Sequence, residues 1–158
     1  MKKEEIKILL ENTRAPYDYE ILEVKKAGIV LRGPEVKSLR AKKGSLKGVY
    51  GVINKNNEVF LINFHISPYQ PNNVPSDYDP KRAKKLLLNK KEILRLKNLI
   101  EQKRLTLIPL KVYNDYTGFI KVDLALAKKR KKYSKKLKIK EREIKRRTEK
   151  AKKGEIWG

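Results

Sequence analysis

From Lys128 to Lys153 the chain is almost unbroken cation, and only Glu141, Glu143 and Glu149 oppose it. Such a run makes and breaks no bonds; its chemistry is the neutralisation of a polyanion. The apolar residues within it (Tyr133, Leu137, Ile139, Ile144 and Ala151) are too few to build a core. Self-repulsion predicts a segment that stays open until phosphate surrounds it. Tyr133, Leu137, Ile144 and Ala151 fall at spacings of four, seven and seven, so a helix would align them along one side. Two readings follow: a helix formed inside an RNA-walled channel, or a nonspecific RNA tether without structure. Ile156 and Trp157, beyond Gly154, read as a terminal docking anchor.

The whole chain leans the same way. Its 158 residues carry 41 Lys and Arg against 18 Asp and Glu, a net charge of 41 − 18 = +23. A charge of that size disfavours compaction and points to phosphate, where each bound cation releases condensed counterions. A membrane surface is the competing polyanion, but the basic run has little apolar area for it. Cysteine is absent, which leaves no thiolate nucleophile or metal site, and His65 is the sole histidine. One His without a Ser/His/Asp or Cys/His set builds neither a metal centre nor a triad. The expectation is no enzyme, no cofactor and no metal. The charged start, Met1-Lys2-Lys3-Glu4-Glu5, is unlike a signal peptide, and nothing approaches ~18 consecutive apolar residues. A soluble, cytoplasmic, monomeric protein is expected.

Smaller constellations repeat the theme. Lys37 and Arg40, three apart, share one helix face and suit phosphate. Glu35 has two readings: a carboxylate satisfying N–H groups at a helix start, or an acceptor for RNA donors. His65 is either a structural residue at a strand end or, with Tyr69, a stacking platform for a base. Asn12 and Arg14 are either a solvated lead-in or readers of looped RNA. Arg82, Lys84 and Lys85 form a candidate positive patch, and at least one of Leu86, Leu87 and Leu88 should be exposed.

These residues need a frame. Residues 17–24 and 29–31 read as strands joined by a turn at 25–28, with a helix over 34–42 closed by Gly44. Strands over 49–53 and 59–64 enclose a hairpin loop. Residues 67–80, with four prolines, read as an irregular loop. Asp79-Pro80 and Asn89 predict helices over 80–88 and 90–103. Residues 105–113 and 119–127 complete six strands, with Pro109 marking an edge or bulge. The fold class is mainly β with α: a six-stranded antiparallel OB-like barrel with two to three flanking helices over residues 1–127. Residues 128–158 form a basic tail, disordered when free.

Several strings in this order resemble one family: Asn12-Thr13-Arg14-Ala15, Gly33-Pro34-Glu35-Val36-Lys37-Ser38-Leu39-Arg40, His65-Ile66-Ser67-Pro68-Tyr69 and Asp79 to Leu88. Gly118-Phe119-Ile120-Lys121-Val122, the cluster Lys128 to Lys136 and Gly154-Glu155-Ile156-Trp157 extend the likeness across essentially the whole chain. It is similar to small protein B, the SsrA-binding proteins of bacterial trans-translation. The resemblance implies an OB-like barrel that binds the tRNA-like domain of transfer-messenger RNA (tmRNA). It also implies delivery of that RNA, charged by alanyl-tRNA synthetase and carried with elongation factor Tu, to a stalled ribosome. The tail would enter the empty mRNA channel and turn helical. The implied RNA-binding set is Asn12, Arg14, Tyr17, Glu35, Lys37, Ser38, Arg40, Tyr50, His65, Tyr69, Arg82, Lys84, Lys85, Leu87 and Lys121. The implied ribosome-contacting set is Lys128, Lys129, Arg130, Lys131, Lys132, Tyr133, Lys135, Lys136, Ile156 and Trp157. The chain departs from the family pattern at Tyr17 (commonly His), at Pro34 (commonly Thr), at Ser45, Gly48 and Val49, and at Ser134-Lys135-Lys136 (commonly Asp-Lys-Arg).

Overall fold

The computed structural model describes residues 6–130. In chain order they form β1 (Lys7–Glu11), α1 (Ala15–Asp18), β2 (Tyr19–Ile29), α2 (Gly33–Arg40), β3 (Gly44–Ser45), β4 (Tyr50–Ile53), β5 (Val59–Ile62), β6 (His65–Ile66), β7 (Lys84–Leu87), α3 (Lys90–Lys103), β8 (Thr106–Asn114) and β9 (Ile120–Lys129). The main sheet runs β1-β8-β4-β5-β7-β2-β9, and β8 also pairs with β9. That last pairing closes six antiparallel strands into an OB-like barrel and leaves β1 as a seventh strand on the rim of β8. β3 and β6 form a separate short ribbon, Gly44 opposite Ile66 and Ser45 opposite His65.

The barrel closes because β8 serves three neighbours. It pairs with β9 from Thr106 to Asn114, with β1 through Lys111 to Asn114, and with β4 at Leu107. Pro109, which has no N–H to donate, sits at the register shift between Pro109 and Lys111. The proline therefore marks a bulge in an interior strand, not an edge. At the β4 contact a Cβ on Gly51 would lie 2.9 Å from Leu107 Cβ, so this closure needs glycine.

Inward side chains of the ring, including Leu61, Leu86, Leu107, Val122 and Leu124, meet Leu39 of α2 and Ile93 and Leu96 of α3 in one core. Burying such side chains is the main stabilising term, about 1.5–3 kcal/mol each. β9 has a second buried face, where Ala125 and Ala127 lie against Ala15 and Ile108. Small residues there let α1 lie close to the sheet. α3 begins as its sequence predicts: Asn89 Oδ1 accepts the Lys91 N–H at 3.0 Å. Its end is marked by Arg104 in the left-handed region, φ 52°.

Four expectations are corrected. Residues 25–28 are no turn; β2 runs unbroken from Tyr19 to Ile29 because Gly28 pairs with both Leu87 and Lys121. The helix expected over 80–88 is absent. Asp79 does start a turn, accepting the Lys81 N–H at 2.9 Å, but the chain then pairs with β5 as β7. α2 ends at Arg40, and the chain reverses at Lys42 (φ 60°), so Gly44 opens β3 rather than closing the helix. Finally, β1 falls where no element was expected, and α1 takes Tyr17 and Asp18, the start of the strand expected over 17–24, into a helical turn.

Candidate nucleic-acid interface

Three residues expected to face RNA point inward. Glu35, in the first turn of α2, is 2% exposed; its Oε1 accepts the Arg32 N–H at 2.8 Å and pairs with Arg82 Nη2. Ser38 and Lys84 are fully buried. Lys84 Nζ donates to the Phe64 and Pro80 carbonyls and lies 5.4 Å from the Phe64 ring centre. Burial pushes its ammonium down to about 8, only partly opposed by the Glu35 charge. A direct RNA contact is therefore corrected for all three. Glu35 ties α2 to the segment entering β7 through Arg82, and Lys84 ties that segment to the Phe64 carbonyl, because a buried charge needs partners. This cluster positions Arg82 and leaves Lys37 and Arg40 on the exposed side of α2. Arg40 also reaches the Gly118 carbonyl at 3.3 Å.

The other expected residues separate into three places. The first is a cleft of about 890 Å³ between the turn joining β1 to α1 and the segment leading into β4. It is lined by Asn12, Arg14, Lys47 and Tyr50, with Asp18 on one wall. Asn12 is locked to β8: its N–H donates to the Leu110 carbonyl at 2.8 Å and its amide to the Pro109 carbonyl at 3.2 Å. Arg14 lies 3.6 Å from Asp18 with its side chain 66% exposed, a geometry that leaves the guanidinium available to phosphate. Tyr50 is 39% exposed and offers a ring face. Tyr17 is half-buried in α1 beside the cleft, and His65 is exposed on β6 opposite Ser45, a cleft residue.

The second place is a groove of about 500 Å³ that brings Lys37 and Tyr69 together. The third is the barrel's outer surface, where Leu87, Gly28 and Lys121 stand in one row across β7, β2 and β9. Leu87 is 54% exposed and lies over Gly28. Lys85 is engaged nearby with Glu58 at 2.9 Å, which holds that carboxyl below its usual range.

Lys128 and Lys129, expected in the tail, lie in β9 opposite Glu20 and Tyr19. Arg130 donates its N–H to the Asp18 carbonyl and its Nε to the Pro16 carbonyl, at 2.9 and 3.2 Å. Lys131, Lys132, Tyr133, Lys135, Lys136, Ile156 and Trp157 lie outside the described residues. Sequence reasoning missed Lys47 in the cleft and Lys43 against Tyr69. In a chain with so many lysines, one more carries no local signal. Among the described residues no group of three or more His, Asp or Glu could hold a metal, and no helix is long and apolar enough to cross a membrane.

Comparison with known proteins gives a consistent result. The family model for SmpB protein matches residues 9–154. The SsrA-binding protein of Thermosynechococcus vestitus is 47% identical over 146 residues, covering 92% of this chain and 95% of its own. That of Thermosipho melanesiensis is 48% identical over 142 residues, covering 90% and 95%. A solved chain from "tmRNA-SmpB: a journey to the center of the bacterial ribosome" superposes with a TM-score of 0.64 at 48% identity, over 78% of this chain and 85% of its own.

Proposed function

The chain belongs to the SmpB family, and we propose on that premise that it is a non-catalytic RNA-binding adaptor of ribosome rescue. It binds tmRNA through the tRNA-like domain and brings it to stalled ribosomes for trans-translation. The observation that carries this reading is the cleft of Asn12, Arg14, Lys47 and Tyr50, set in a barrel of high positive charge. Folded RNA is recognised by shape, by phosphate contacts and by stacking on unpaired bases. The cleft offers all three: Arg14 and Lys47 as cations, Tyr50 as a stacking face, and a mouth held rigid by Asn12 on β8.

The finer steps belong to the same proposal. The RNA travels alanylated and with elongation factor Tu, and the adaptor works as a monomer in the cytoplasm. Residues 131–158 enter the vacant mRNA channel, where ribosomal phosphate removes the repulsion among their lysines. Body and tail then divide the work: the first holds tmRNA and the second engages the ribosome.

The test is fluorescence anisotropy of the full chain with the tRNA-like domain and with a length-matched hairpin. The tRNA-like domain should bind more tightly, with log affinity falling linearly against log salt. Arg14→Ala should flatten that slope, and Tyr50→Ala should weaken binding about 10-fold. A chain ending at Arg130 should keep RNA binding and lose tagging in a reconstituted translation reaction. Equal affinity for both RNAs would reduce the protein to a generic basic RNA binder.

A further inference from the structure

The groove between α2 and the loop after β6 shares no lining residue with the cleft. We propose that it is a pocket for one unstacked RNA base, taken between Tyr69 and the α2 wall with its phosphate on Lys37. This rests on the RNA-binding reading and adds a specific subsite to it.

Four observations carry the proposal. Tyr69 is 44% exposed, and Lys43 holds it from one side: Nζ lies 5.5 Å from the ring centre and donates to the Tyr69 carbonyl at 2.8 Å. A tyrosine fixed on one face presents the other as a rigid stacking surface. The loop side of the groove is held as well, since the hydroxyl of Tyr78, a lining residue, donates to the Ile66 carbonyl at 2.8 Å. Gln70 and Asn73 line the groove with amides that both donate and accept, which is what a base edge requires.

Charge selects the occupant. No acidic residue lines the groove, and Asp77 nearby is engaged with Arg32 at 3.4 Å. Lys37 is exposed at the mouth and Lys43 stands behind Tyr69. Prolines and tyrosines alone would suit a proline-rich peptide equally well. The surrounding cations, and the net +23 of the chain, favour a nucleotide. The ribbon of β3 and β6 joins groove and cleft, since Ser67 N donates to the Lys43 carbonyl at 3.0 Å.

The experiment uses the full chain and tRNA-like RNA carrying 2-aminopurine at each unpaired position in turn. Wild type should quench one position strongly. Tyr69→Phe should keep the quench, because stacking needs the ring and not the hydroxyl. Tyr69→Ala should lose it and weaken affinity about 10-fold. Gly33 lines the groove, and a Cβ there meets nothing within 4 Å. Gly33→Leu should thus block the pocket and abolish the quench without moving the urea midpoint, which separates occlusion from misfolding. Normal RNA binding with no Tyr69-dependent quench would overturn the pocket and leave the cleft standing. A Tyr69-dependent response to an oligoproline peptide, with RNA quenching unchanged, would overturn it in favour of a protein partner. Failure of wild type to bind the RNA at all would overturn both readings.

Discussion

The wall made by β2, β9 and β8 and the corner where α2 meets β7 hold together by different physics. The wall is apolar on its inner face and paired along nearly its whole length, Tyr19 to Gly28 against Lys121 to Lys129 and Thr106 to Asn114 against Ile120 to Ala127. Its stability comes from burial, which tolerates changes in charge. The corner contains Glu35, Arg82 and Lys84, whose burial is bearable only because each has partners. The wall gives the molecule its shape; the corner aims the surfaces proposed to meet RNA. Damage to the wall should therefore cost stability alone, whereas damage to the corner should cost stability and binding together.

The largest effect belongs to the wall. Leu124→Ala should lower unfolding free energy by about 4 kcal/mol in urea titration, with RNA affinity of the folded fraction unchanged. Next comes the corner. Glu35→Ala strips the acceptor from Arg82 and from the Arg32 N–H, and should cost about 3 kcal/mol. Unlike the wall variant, it should also weaken RNA binding measured below the unfolding range.

The pH dependence of Lys84 sharpens the contrast. Its native pKa is lowered to about 8, so between that pH and the unfolded value of ~10.4 the unfolded chain holds more protons. Stability should then rise with pH, by about 2 kcal/mol between pH 7 and 9.5 relative to Lys84→Met. A parallel pH profile for the two proteins would contradict a buried ammonium. The smallest effect lies away from both regions: Asn89→Ala removes the α3 cap and should cost about 1 kcal/mol with no change in binding.

The same contrast explains what the sequence made readable. α3 was legible to the residue, because Asn89 signals its start and Ile93, Leu96 and Ile100 recur at helical spacing. β9 was legible from Ile120, Val122, Leu124 and Leu126 at period two. β7 was not, because Lys84 occupies an inward position, and a buried lysine hides the alternation that Leu86 continues. Gly28 was read as a turn because glycine usually punctuates, whereas here it makes room for Leu87 across the pair. β1 was missed since only Leu9 of its five residues is fully buried. Of the candidate residues, Asn12, Arg14 and Tyr50 converge in one cleft. Glu35 and Lys84 could not be told from surface polar groups, because Arg82 and the Phe64 carbonyl lie in distant parts of the chain, and no neighbour in sequence marks Ser38 as buried.

The central claim is that the folded body alone discriminates a tRNA-shaped RNA through its cleft. Anisotropy of the chain ending at Arg130, with the tRNA-like domain and the length-matched hairpin across a salt series, tests it most directly. The body should prefer the tRNA-like domain at every salt concentration, and Arg14→Ala with Tyr50→Ala should erase the preference. Equal affinity for both RNAs, or a preference indifferent to those two substitutions, would contradict it.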